Sequence, residues 1–125
     1  MNSEVKEMWV KALRSGEHNQ TKFGLRSKKG FCCLGVLCEI AVQHKIIPPS
    51  QFTGNKKVTG SFIYDGSSAY LPNKVILWAE LTDSDPYIKT KYPTNSSVNG
   101  GYRLSYYNDD GVSFEKIADL IEENL

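Results

Sequence analysis

Four groups of residues have the types and the spacing to do chemistry. The first is the basic turn Arg26, Lys28 and Lys29, which runs into Phe31-Cys32-Cys33 and the most apolar stretch of the chain. If that stretch is a helix, its first N–H groups lack intrahelical partners and its start carries partial positive charge. Ser, Thr, Asp or Asn ordinarily caps such a start, and Phe31, Cys32 and Cys33 supply none of these. Free amides beside an arginine form an anion site. Arg26, Lys28 and the amides around Cys33 and Leu34 are therefore candidates to hold a phosphate or pyrophosphate. The competing reading is that a strand carbonyl, a water or a cysteine plugs the site and the lysines are merely solvated.

The second group is Asn108, Asp109 and Asp110. An Asn–Asp pair on a turn can read a ribose hydroxyl or a base edge, although these residues also favour turns for their local backbone hydrogen bonds. Gln20, in the polar stretch His18-Asn19-Gln20-Thr21, is a further candidate for orienting polar ligand groups. The third group is aromatic: Tyr87, Tyr92, Tyr102, Tyr106 and Tyr107. An exposed ring such as that of Tyr106 stacks on a nucleobase, whereas a packed tyrosine keeps only its hydroxyl wet. The fourth is Cys33, a thiol whose place at a helix start would lower its pKa. A thiol nucleophile needs a base. His44 lies eleven residues on, about 16 Å along a helix, which leaves His18.

Other chemistries lack their residues. The three cysteines and two histidines show no Cys-x-x-Cys and no zinc spacing. No Walker loop or Rossmann glycine fingerprint is present, and Asn108–Asp110 is too short for an EF-hand. No metal and no cofactor is expected. The cysteines, clustered and odd in number, read as reduced, mostly buried thiols.

These groups must be positioned by a small scaffold. A chain of 125 residues suits one domain and buries roughly two-thirds of its unfolded surface. The net charge of +1 disfavours a dedicated nucleic-acid binder. The run from Phe31 to Val42 is too short to span a bilayer, and the charged N-terminus lacks a signal-peptide core. A cytoplasmic protein is expected.

Along the chain, Val5, Met8, Trp9, Ala12 and Leu13 fall on one face of a helix over 3–15, with Asn2 or Ser3 at its start and Gly16 after its end. Short strands are expected at 22–26 and 31–32, joined by a turn at 27–30. Residues 33–43 are apolar nearly all round, as a central buried helix would be. Asp65-Gly66 marks a hairpin between 58–64 and 67–71. Pro72 opens a short helix to Leu81. Residues 86–101 read as a long loop, and Tyr102–Asn108 fits helix or strand. Ser113 caps a last helix whose core face is Phe114, Ile117, Ala118, Ile121 and Leu125. The fold class is α+β: a single compact domain over 1–125, with about four helices and short antiparallel strands or hairpins around the buried central helix.

Three segments carry a resemblance: Trp9-Val10-Lys11-Ala12-Leu13-Arg14-Ser15-Gly16, Phe31-Cys32-Cys33-Leu34-Gly35-Val36-Leu37-Cys38, and Asn108-Asp109-Asp110-Gly111-Val112-Ser113-Phe114-Glu115-Lys116-Ile117-Ala118. With Leu71-Pro72 and Trp78-Ala79-Glu80-Leu81, the chain resembles a family of small tailed-bacteriophage proteins of uncharacterised function. The resemblance covers most of the chain except 46–70 and 86–101. It implies a phage or prophage accessory gene acting in the bacterial host cytosol, and transfers no catalytic residues. Phage proteins of this size that resist host immunity often sequester nucleotide signals, an analogy of gene class alone. The expected function is binding of a nucleotide-type signal, a cyclic nucleotide or an ADP-ribose derivative. Arg26, Lys28 and the Cys33 amide would hold phosphate, Gln20, Asn108 and Asp109 would orient polar groups, and Tyr106 would stack. A homodimer would deepen such a pocket. The rival readings are a small hydrolase or phosphodiesterase using Cys33 or Asp109, and an interaction protein docking a host factor through its tyrosine-rich loop.

Overall fold

A computed structural model describes residues 1–54, 62–89 and 102–125. Helix α1 covers Ser3–Arg14, where the Asn2 side chain accepts from the amides of Glu4 and Val5. Its periodic face buries Val5, Trp9 and Leu13, and Val10 is buried as well. This face packs on helix α5, Phe114–Asn124, and on helix α2, Cys33–Gln43. Ser113 Oγ accepts from the Lys116 amide and starts α5, which buries Phe114, Ile117, Ala118, Leu120 and Ile121. Each fully buried aliphatic side chain in this stack contributes about 1.5–3 kcal/mol.

The central helix is where the sequence placed it. Every residue from Cys33 to Cys38 is buried. The Trp9 indole N–H donates to the Cys33 carbonyl at 2.9 Å, fixing α1 against the first turn of α2. Gly35 is required by close approach: a Cβ there would lie 1.8 Å from the Leu25 carbonyl oxygen. Beyond α2, Lys45 is left-handed and the Ile46 amide reaches back to the Ala41 carbonyl, closing the helix end.

The strands are shorter than their sequence patterns. β1 (Arg26–Ser27) pairs antiparallel with β2 (Gly30–Phe31), Arg26 opposite Phe31. Residues 22–25, expected as strand, bend away: Phe23 is left-handed, and the Leu25 amide donates to the Ser68 carbonyl rather than to a ladder. Asp65 and Gly66 both take positive φ, and Tyr64 and Ser67 exchange both backbone hydrogen bonds, so the expected tight turn is there. Its ladder goes no further, because β4 (Phe62–Ile63) pairs instead with β3 (Gln51–Phe52). The remainder of the expected first hairpin strand lies outside the described residues.

Pro72 precedes helix α3, Asn73–Ala79, which stops two residues before the expected end because Glu80 turns left-handed. The segment that fits helix or strand is both. β6 (Tyr102–Arg103) pairs with β5 (Tyr87–Ile88), and the chain then coils into α4, Leu104–Asp109. The architecture is α+β, with five helices and three two-stranded antiparallel pairs among the described residues. None of the described helices is long and apolar enough to cross a membrane.

Candidate functional site

Asn108 is fully buried and uses both ends of its amide. Its Oδ1 accepts from the Cys33 amide at 3.1 Å and from Gln20 Nε2 at 3.0 Å. Its Nδ2 donates to the Thr21 carbonyl at 2.8 Å and to Asp109 Oδ1 at 3.1 Å. Gln20 also donates to the Val112 carbonyl at 2.8 Å, and its Oε1 accepts from the Phe114 amide at 3.2 Å. Three sequence candidates, Gln20, Cys33 and Asn108, thus meet in one clamp that joins the starts of α2 and α5 to the end of α4.

This clamp corrects the expected anion site. The start of α2 is capped: Asn108 takes the Cys33 amide, and Cys32 Sγ accepts from the Gly35 amide at 3.4 Å. A cap supplied across 75 residues of sequence is invisible to a local search. Arg26 turns elsewhere. Its guanidinium donates to Ser50 Oγ at 3.0 Å, lies 3.8 Å from Glu39, and sits over the rings of Phe31 and Phe62. Glu39 is six residues, about 9 Å, further along α2 than Cys33. Glu39 also accepts from the buried Tyr64 hydroxyl at 2.7 Å. Burial, then this carboxylate, raises the Tyr64 phenol above its ordinary pKa. Lys28 lies over the Phe52 ring, 4.8 Å from its centroid. Arg26 and Lys28 therefore support the β3–β4 pair and do not join Asn108.

The expected activation of Cys33 is reversed. The residue is fully buried, and burial, more than any other influence, pushes its thiol well above the ordinary value. Burial likewise pushes Cys32 up to about 11. A protonated, enclosed thiol is a poor nucleophile.

The other two candidates, Asp109 and Tyr106, are brought together at a surface cleft of about 440 Å³. Tyr70 and Tyr106 line it with exposed rings. Asp85, Ser105 and Arg103 supply polar groups that the sequence reading had not singled out. Asp85 Oδ1 accepts from the Ser105 amide at 3.0 Å, and its Oδ2 from Ser105 Oγ, so Asp85 holds the first turn of α4. Burial raises the Asp85 pKa against the opposing effect of these hydrogen bonds. Arg103 lies 3.2 Å from Asp83, donates to the Asp85 carbonyl, and sits over Tyr87. Asp109 Oδ1 accepts from the Phe23 amide at 3.0 Å as well as from Asn108. The buried clamp thus backs directly onto a cleft-lining carboxylate. Nothing local in the Asp-rich segment 83–85 links it to Tyr70 or Arg103.

Chemically, the cleft offers aromatic faces, carboxylate acceptors and one guanidinium. A family profile describing a domain of unknown function, DUF8296, matches residues 1–125. No curated protein matches the chain, and no solved structure does.

Proposed function

We propose that this chain, which belongs to the DUF8296 family over residues 1–125, is a binding protein that sequesters a nucleotide-type signal such as an ADP-ribose derivative. The observation that carries the reading is the cleft beside α4, where the exposed rings of Tyr70 and Tyr106 stand beside Asp85, Asp109 and Arg103. Its volume of about 440 Å³ falls within the range of small-molecule sites. A base stacks on a tyrosine. The ribose hydroxyls donate to a carboxylate. The phosphates go to Arg103, because the carboxylates repel them from the rest of the cleft. An exposed Arg103–Asp83 pair is weak, so a phosphate can replace Asp83 on the guanidinium. The resemblance to small tailed-phage proteins favours an accessory role of this kind in a bacterial host cytosol. The burial of Cys33 favours retention over thiol-based hydrolysis.

The test is to incubate the protein with ADP-ribose, cyclic ADP-ribose and a cyclic dinucleotide, remove unbound compound, denature by heat and analyse what is released. Release of an intact compound supports sequestration. Release of a cleaved compound shows an enzyme, with Asp109 the residue to substitute first. Retention of none of the compounds overturns the reading.

A further inference from the structure

Phe23 is the most exposed of the large apolar side chains among the described residues, at 82%. Its backbone is left-handed, with φ at 63°. That region is crowded for a residue with a Cβ and is entered most readily by Gly, Asn and Asp. Two hydrogen bonds hold this turn. The Phe23 amide donates to Asp109 Oδ1 at 3.0 Å. The Leu25 amide donates to the Ser68 carbonyl at 2.8 Å, in the segment that leads to Tyr70. Asp109 and Tyr70 both line the cleft. The turn is therefore tied to one cleft-lining residue, Asp109, and to the segment that leads to another, Tyr70, and its phenyl ring is in solvent.

The ring contributes little to the fold at that exposure, while its conformation works against stability. A glycine or an asparagine would serve the turn better. We infer that Phe23 is a ligand-contacting residue, whose ring closes over the cleft and stacks on the base of a nucleotide seated against Tyr70 or Tyr106. The inference rests on the proposed nucleotide-binding reading. It adds a third aromatic face and assigns the left-handed turn the task of presenting it.

The experiment uses the full chain and two variants, Phe23→Gly and Phe23→Asn, with ADP-ribose as the probe. Affinity is read by calorimetry and the ligand-free melting midpoint by circular dichroism. Both variants are expected to melt at or above the midpoint of the unmodified chain. Both are expected to bind ADP-ribose about tenfold more weakly, the loss of one base–aromatic stack. Phe23→Trp, which keeps a ring, is expected to retain the affinity. Equal affinity in the unmodified chain and Phe23→Gly overturns the inference and leaves the nucleotide reading standing. So does a lowered midpoint in both Phe23→Gly and Phe23→Asn, which would make the ring part of the fold. An unmodified chain that takes up no ADP-ribose also overturns it, while the wider compound panel judges the nucleotide reading separately.

Discussion

Replacing Asn108 by alanine tests the clamp that organises both the scaffold and the cleft. The substitution removes an acceptor shared by the Cys33 amide and Gln20, and a donor shared by the Thr21 carbonyl and Asp109. The Cys33 amide is the first of α2 and is buried. Leaving a buried donor unpaired costs about 1–3 kcal/mol, and Gln20 and Thr21 lose a partner each in a half-buried setting. The sum is about 3–4 kcal/mol, against a total stability of about 5–15 kcal/mol for a domain of this kind. For 125 residues this lowers the melting midpoint by about 10–15 °C. The assay is urea unfolding followed by circular dichroism, with Gln20→Ala and the double variant completing a cycle. Gln20 and Asn108 share one hydrogen bond, so the double variant should be less destabilised than the sum of the two single ones. A loss below about 1 kcal/mol for Asn108→Ala, or strict additivity with Gln20→Ala, would refute the reasoning, because water would then replace the side chain at little cost.

Further outcomes follow from the same geometry. Gly35→Ala drives a methyl into the Leu25 backbone and should destabilise by about 3 kcal/mol or more, read as a fall in the urea midpoint. Arg26→Ala should lower stability by about 1–2 kcal/mol through lost stacking and hydrogen bonding. It should leave ADP-ribose retention unchanged, whereas Arg103→Ala should reduce retention at nearly unchanged stability. Iodoacetamide should label Cys33 only as fast as the chain unfolds, since the thiol is enclosed and held protonated. Asp85 has a folded pKa above its unfolded value, so the folded state holds the proton more tightly and this group's contribution to stability falls as pH rises through that interval. The stability of Asp85→Asn relative to the unmodified chain, followed by urea unfolding from pH 3 to pH 7, should therefore increase with pH. A flat difference would mean that Asp85 titrates alike in both states.

What could be read from the sequence was what is encoded locally. The apolar run from Cys33 to Gln43 could only be satisfied by burial on all sides, and the faces of α1 and α5 repeat with helical period. Asn2, Ser113 and the Asp65-Gly66 turn act through neighbouring backbone, so their roles followed from residue type alone. The cleft was legible only in halves: Tyr106 and Asp109 were singled out, but Asp85, Arg103 and Tyr70 come together through chain crossings that leave no periodic trace. Gln20 and Asn108 were singled out to orient the polar groups of a ligand, whereas what they hold is each other and the protein's own backbone. Arg26 and Lys28 read as an anion site because Glu39 and the rings of Phe52 and Phe62 that occupy them are distant in sequence.

The long-range cap on α2 bears on how the chain acquires its structure. During synthesis the central helix emerges well before Asn108, and its first amide then has only water to answer it. An N-terminal fragment ending before α4 also lacks the face of α5 against which α1 packs. Such a fragment should stay loose, and ordering should arrive as one cooperative event once the segment carrying α4 and α5 is free to dock.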